Sequence, residues 1–586
     1  MSADVVVVGS GLAGLSAALE AHKRGLKVAI MEKRVLGRGG ASRMGRRFMV
    51  WSFEELPKPP PGSPWWQTYL PPAEDPQLDR KLSTVIHGDS QMAWRIALEM
   101  ERMGMLFRRT DDGKLWPEPC VGLHSMKTDR VGVVLTNLMS DEVRRRDIIV
   151  LEETMAIRIL KHGGKAVGVV GWDKVKGEVV TVIAKAVVLA TGSAAFCLDS
   201  VPPLTLTGDG YALALRAGAE LTDMCELPYY NYWNKNIEPK NWSINIAYWT
   251  NRPFNPEGPL YLNSLGQNIF EKDEYKTLIQ KSVALGMDGK RVPLPHYVIL
   301  HIIASELKLG RGSENHGIYI SYKHMKYAPK LMKRWWATYD YLKKVGLDPS
   351  RDLLEIGLQP HISQGGIVVD GNFETSVPGL FAIGGCATYF GISMAACIAS
   401  GKWVMEKVEE RVKSGETTDF ESVRDQVKEE ENRIETLLQQ AGSGGVHPAA
   451  IKHMLRDIMT RRCHFWKNEK DLLEAANEIR RIKEDALPKM RLRTRSRTYN
   501  QDLVEAFECQ NLLDICEIFV EMSLRKRESR GTWQREDYPE QMKRYTQVFV
   551  KQVDGKKIYR ERAFEMPGVI YEGWKMPSPS KETRPS

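Results

Sequence analysis

The chemistry that the sequence offers most openly is phosphate binding at its N-terminus. A β-branched run, Asp4 to Val8, suits a buried parallel strand and leads straight into Gly9-Ser10-Gly11-Leu12-Ala13-Gly14. A helical pattern and a second apolar strand follow, ending at Glu32. Together they make a complete strand–helix–strand dinucleotide fingerprint. Gly9 permits the tight turn, Gly11 lets backbone approach a pyrophosphate, and Gly14 lets helix and strand pack closely. Leu12 and Ala13 begin the helix, whose first amides and positive dipole favour phosphate. Glu32, 18 residues beyond Gly14, stands where the ribose is held, and its neighbour Lys33 is a further cofactor-binding candidate. The carboxylate can accept both ribose hydroxyls and would repel a 2′-phosphate. Far along the chain, His361 precedes a Gly365-Gly366 turn. An unperturbed imidazole there, with a pKa of about 6.5, suits proton transfer or substrate contact; a structural histidine is the competing reading.

These groups need strands to position them. After Glu32 comes a Gly/Ser/Arg-rich stretch with Gly39, Gly40, Ala41 and Ser42 in place of a second crossover helix. Two later strands end in glycine: 185–193 closes on Ala190-Thr191-Gly192, and 375–387 on Gly384-Gly385. Such ends let backbone pass close to an adenine and an isoalloxazine ring, so the pattern predicts an extended FAD.

Further segments carry a resemblance. Gly122-Leu123-His124-Ser125 is similar to GGHS, Thr207-Gly208-Asp209-Gly210 followed by ALALRAGAEL to TGDGxxMALRAGA, and His361 to Ile367 to HYTMGGI. Arg527 to Gly531 with Arg535 to Pro539 is similar to RESRGAHxRxDYP. In this order and spacing, nearly the whole chain resembles the FAD-dependent family of fumarate reductase, succinate dehydrogenase, L-aspartate oxidase and the adenylylsulfate reductase alpha subunit. Cap and tail are most similar to the last. The resemblance implies an α/β fold: a Rossmann-like, glutathione-reductase-type FAD-binding domain from 1–225 plus 346–410, an inserted α+β cap at 226–345, and a C-terminal helical domain with an extended tail at 411–586. It also implies cofactor contacts at Asp209, Ser393 and Ile398.

The departures from the family pattern bear on the substrate. FQFHPTG is replaced by Leu227 to Trp233, with Asn231 where the histidine falls, and the GANRLG arginine is replaced near Ser393-Met394. A carboxylate clamp without its arginine loses bidentate recognition, which argues against fumarate or succinate. Tyr229, Tyr230, Tyr232, Trp233, Trp242, Tyr248 and Trp249 place seven aromatics in 21 residues. They form either a wall for a planar or adenine-bearing substrate or the cap's own core. Catalytic candidates are therefore His361, His124, Trp233, Tyr230 and Arg252, the last lying near the family's RGEGG loop; His296 and His324 rank below them. The family's covalent flavin histidine is matched by Gly40, which predicts noncovalent FAD.

Composition bounds the rest. The 586 residues, with 83 basic against 74 acidic side chains, carry a net charge of +9. Hydrophobic residues at 42% and charged residues at 27% are ordinary for globular chains and exclude a disordered or collagen-like class. No two of the eight cysteines are spaced as CxxC, so no metal site or iron–sulfur cluster is expected within the chain; reduced thiols and a cytoplasmic location are. No stretch is long and apolar enough to span a membrane. Residues 57–66 read as a polyproline-like arm. The alternating basic strip from Lys489 to Arg497 is either a solvated face or a docking strip for an acidic electron carrier. It lacks the interleaved aromatics of a nucleic-acid site. The expected activity is two-electron redox of a small substrate under the cap, with electrons exchanged with a separate iron–sulfur or ferredoxin-like protein, alone or in a homo- or hetero-oligomer. An ene-reductase or dehydrogenase acting beside a carbonyl, and a non-catalytic electron-transfer flavoprotein, are the alternatives.

Overall fold

The structure, a computed structural model, describes residues 1–45, 48–49, 75, 77–78, 81, 90–109, 112–113, 122–123, 130–227, 229–233, 259–284, 296–325, 342–348, 350–361, 363, 365–388, 393–415, 419–530, 533–540, 542 and 544–565. The N-terminal valines form β1 (Ser2–Val8), buried on both faces. It is followed by the crossover helix α1 (Leu12–Lys23) and by β2 (Val28–Met31), parallel to β1 with Val5 opposite Val28. Helices α2 (Ser90–Arg102) and α3 (Val131–Arg144) precede β3 (Ile149–Leu151), parallel to β2. An antiparallel meander of β4 (Thr154–His162), β5 (Lys165–Asp173) and β6 (Glu178–Leu189) then returns to lie parallel to β1. Continuous Val/Ala/Leu runs make these central strands dry on both sides, as helix-covered parallel strands must be.

Helix α4 (Asp209–Ala217) and β7 (Glu220–Thr222) lead away from this sheet. A second, antiparallel sheet follows: β8 (Tyr229–Trp233), β9 (Leu260–Leu262), helices α5 (Asp273–Ala284) and α6 (His296–Lys308), β10 (Gly317–Ser321) and β11 (Leu354–Pro360), in the order β8-β11-β10-β9. The sequence places 346–360 with the FAD-binding segment, but β11 pairs with β8 and β10, so by pairing it belongs to the second sheet. Its apolar residues Leu354, Ile356 and Leu358 alternate as in a one-sided strand.

The chain returns through β12 (Gly366–Ile367) to β13 (Leu380–Ala382), which lies parallel to β6 and completes a mixed seven-stranded sheet. Helix α7 (Met394–Lys413) packs on α1 so closely that a Cβ at Gly401 would lie 2.5 Å from the Ala13 carbonyl oxygen. Four helices, α8 (Arg424–Gln439), α9 (Pro448–Arg462), α10 (Glu469–Arg481) and α11 (Gln501–Arg525), form the C-terminal helical region, with α11 buried almost all round. The tail is a hairpin, β14 (Arg544–Val553) and β15 (Lys556–Glu565), turned at Asp554-Gly555 with positive φ at both residues. β14 pairs with β7, giving a third sheet ordered β12-β7-β14-β15. No helix among the described residues is long and apolar enough to cross a membrane.

The basic strip is not an alternating strand. Residues 491–500 are irregular, and two of their arginines bind locally. Arg493 forks onto Asp502 at 2.9 and 2.6 Å, and Arg497 donates to the Gly177 carbonyl at 2.9 Å, pairs with Glu435 and lies over Trp172.

Candidate functional site

The end of β1 forms the cradle that the fingerprint predicts. Gly9 has φ +100°, and a Cβ there would lie 2.6 Å from the Ala190 carbonyl oxygen at the end of β6. A Cβ at Gly14 would lie 2.0 Å from the Gly9 oxygen. No other residue fits either position. The α1 N-terminus has no side-chain cap at Gly11; the Leu12 amide donates to Ser42 Oγ at 3.1 Å. At the end of β2, Glu32 is 8% exposed and accepts from the Ser10 amide and hydroxyl at 2.8 and 2.6 Å and from the Arg34 amide at 2.9 Å. Three donors leave a carboxylate with further lone-pair capacity. Gly39 borders its Oε1, Ala41 packs toward Ala195 and Leu206, and the space beside Gly40, at φ +74°, is open. A helix start with no cap from Gly11 itself, a glycine-lined opening and a fixed carboxylate at the second strand's end fit the pyrophosphate and ribose of an FAD.

The opposite side is made by Gly384-Gly385, the start of α7 and the end of β6. A Cβ at Gly384 would strike the Ala13 methyl at 2.6 Å, so the turn after β13 sits directly on α1. Ser393 caps α7 by accepting from the Ala396 amide, and the Ile398 carbonyl accepts from Ser16 Oγ at 2.8 Å. Thr191 Oγ1 lies 3.4 Å from Cys386 Sγ, and burial pushes that thiol up to about 12. His361 follows β11 and enters the turn that runs beside Cys386 to Thr388, where Gly366 is pressed against the Cys386 oxygen. Burial holds His361 down to about 4, so its imidazole is neutral at pH 7.

The side chains of two expected cofactor residues, Lys33 and Asp209, pair with each other. Lys33 Nζ donates to Asp209 Oδ2 at 2.7 Å, Glu508 Oε1 at 2.8 Å, the Thr205 carbonyl at 2.9 Å and Thr207 Oγ1 at 3.3 Å. Asp209 Oδ1 accepts from Thr207 and Asn511. An ammonium has only three protons, so the Lys33 side chain is fully engaged in a joint with Asp209 and α11. Burial alone would lower Lys33, but Asp209 and Glu508 raise it overall. Burial would likewise raise Glu508, yet Lys33 and Lys452 bring it to about 2.

His124, Arg252, Trp242, Tyr248, Trp249 and the arm at 57–66 lie outside the described residues. Tyr230 and Trp233 are described as backbone in β8, opposite Gln359 and Ile356 of β11. His324 is exposed, and His296 begins α6. The sequence reading missed Tyr211, whose hydroxyl reaches the Gly385 carbonyl at 2.8 Å. Only its place directly after the Thr207-Gly208-Asp209-Gly210 motif could have flagged it.

Known proteins agree with this geometry. The FAD binding domain family matches residues 4–397, and the fumarate reductase flavoprotein C-terminal family matches 452–565. A fumarate reductase (CoM/CoB) chain of Methanothermobacter marburgensis is 26% identical, over 92% of this chain and 94% of its own. E. coli quinol fumarate reductase superposes with a TM-score of 0.79 at 20% identity, covering 99% of this chain and 98% of the other. Adenylylsulfate reductase of Archaeoglobus fulgidus gives 0.72 at 19%, covering 97% and 96%. At such identities the two structures speak for the fold alone.

Proposed function

The chain belongs to the FAD-binding flavoprotein family of fumarate reductase and succinate dehydrogenase, and from that premise we propose that it carries out two-electron redox on a small substrate other than fumarate or succinate. FAD, when bound, supplies the two-electron exchange. The glycine cradle and Glu32 bind and orient it, and the second sheet with its aromatic β8 covers the substrate.

The observation that carries this reading is the charge at the substrate side. His361 is held neutral by burial, and no arginine occurs between Arg351 and Arg411. Without the arginine that the family carries after the glycine turn, a dicarboxylate loses that bidentate, charged contact. His361 therefore orients a neutral or diffusely charged substrate and does not neutralise a carboxylate. With no CxxC pair in the chain, electrons pass to or from a separate iron–sulfur protein. Likeness to adenylylsulfate reductase in the cap and tail motifs favours a planar, sulfur-bearing substrate. The FAD is held without a covalent bond, because Gly40 faces open space with no side chain to attach it.

The test is anaerobic mixing of the FAD-loaded, reduced protein with fumarate, adenylylsulfate or an unsaturated ketone, following return of the oxidised flavin spectrum. Fumarate should leave the flavin reduced; rapid reoxidation by fumarate would refute the proposal. Acid precipitation should release the yellow colour into solution, and colour left in the pellet would overturn the noncovalent assignment.

A further inference from the structure

Arg456 of α9 is only 5% exposed, and its guanidinium is directed at two backbone carbonyls. Nε donates to the Ala195 oxygen at 3.2 Å and Nη2 to the Leu204 oxygen at 2.6 Å. Burying a charge is costly unless its donors are engaged, and here one loop engages them. That loop, 195–206, follows Gly192 at the end of β6 and is closed at its neck by the Ala195 amide, which donates to the Leu206 carbonyl at 2.9 Å. The C-terminal helices hold it at two further points. Thr460 Oγ1, one turn along α9, accepts from the Leu198 amide at 2.9 Å, and the Phe196 ring lies 5.0 Å from that of Phe519 on α11.

The neck of the loop faces the nucleotide cradle. Ala195 and Leu206 are buried in a small apolar cluster of their own, and Ala41 packs against it. Ala41 belongs to the segment that lines the cradle. Gly39 before it borders Glu32 Oε1, and Ser42 after it accepts from the Leu12 amide at the start of α1. A loop anchored from behind by α9 and α11 thus backs one wall of the site. We propose that Arg456 is a positioning residue that holds this wall closed, so that the C-terminal helical region sets how fast FAD leaves. Without the guanidinium, the Ala195 and Leu204 carbonyls lose these donors and the neck is free to draw back from Ala41. The 39–42 segment then gains room to part from α1. This inference rests on the FAD reading above and extends it to a region that contributes nothing to the fingerprint.

The experiment uses the full-length, FAD-loaded protein, well below its melting temperature. Release is followed as the flavin absorbance left on the protein after dilution and timed gel filtration. Arg456→Met, which keeps an apolar side chain in the buried space, should lose FAD about tenfold faster than the parent, within what two hydrogen bonds from a charged group contribute. Arg456→Lys, which keeps the charge but reaches one carbonyl at most, should fall between them. Leu472→Ala, which opens a cavity at a fully buried position of α10, is the control and should lower the melting temperature without changing release. If Arg456 served stability alone, Arg456→Met would release FAD no faster than Leu472→Ala, and that result overturns the proposal. Should Arg456→Met not fold, Thr460→Val removes the acceptor of the Leu198 amide and must speed release by at least about twofold, or the proposal fails. A parent that takes up no FAD would instead sink the flavin reading on which this stands.

Discussion

Glu508→Gln isolates the joint between the nucleotide half and the C-terminal helices. Glu508 is 2% exposed and shared between Lys33 at 2.8 Å and Lys452 at 2.6 Å. Its folded value of about 2, against an ordinary 4.5, corresponds to about 3 kcal/mol in favour of the ionised, paired state. Breaking a buried pair by removing one partner costs about 3–5 kcal/mol. Lys33 keeps Asp209, and Lys452 keeps Glu505 at 3.9 Å, so the lower end of that range is expected. The sign with pH follows from the depressed value. The stabilisation is fully present above pH 4.5 and is lost as pH falls toward about 2, because the unfolded carboxyl takes up its proton first. Urea unfolding at pH 7 should show Glu508→Gln about 3 kcal/mol less stable. Repeated toward pH 3, the gap should shrink to about half. A variant within about 1 kcal/mol of the parent at pH 7, or an unchanged gap at low pH, would refute the buried-pair argument.

Gly9→Ala should yield protein that loses FAD and melts earlier, since its Cβ would lie 2.6 Å from the Ala190 oxygen at a φ that costs about 1–2 kcal/mol outside glycine; stoichiometric FAD at the parental melting temperature would contradict this. His301, buried on α6 with its ring 4.7 Å from Trp466, is held down to about 3, and His361 to about 4. Both are protonated in the unfolded chain below about 6.5. Stability should therefore fall as pH drops from 6.5 to 5, before Glu508 contributes, and His301→Phe should roughly halve that slope in melting temperature against pH. An equal slope in variant and parent would count against it. Activity across the same range should show no ionisation belonging to His361, read from the pH profile of kcat/KM.

What can be read in the sequence is what is local in the chain. The cradle from Gly9 to Gly14 and the strand ending in Glu32 are close neighbours whose spacing alone dictates the turn. Lys33 illustrates the limit. Its partner Glu508 is 475 residues away, and nothing near Lys33 announces that its charge is already taken. Nor does anything near Arg493 and Arg497 in the chain announce that Asp502 and Glu435 bind them within the helical region. Proximity in the chain groups β11 with the returning glycine turn, whereas hydrogen-bond partners in β8 and β10 decide its sheet. Tyr211 escapes notice because a tyrosine after a glycine motif has many uses, and only the fold brings Gly365 and Gly385 to it.

The hairpin that closes the chain has a consequence for how the protein is made. Thr222 Oγ1 donates to the Val548 carbonyl across 326 positions, and Lys526, Glu226 and Tyr545 meet in a fully buried cluster beneath the same seam. Contacts of such range are slow to form, because the loop must close before any of them stabilises it. During synthesis, β7 keeps one edge bare until β14, more than 300 residues later, has emerged. Until then that edge is open to wrong partners. A chain cut before β14 would leave β7 unpaired along one edge and Lys526 without its contact to Tyr545, exposing backbone that the complete fold covers.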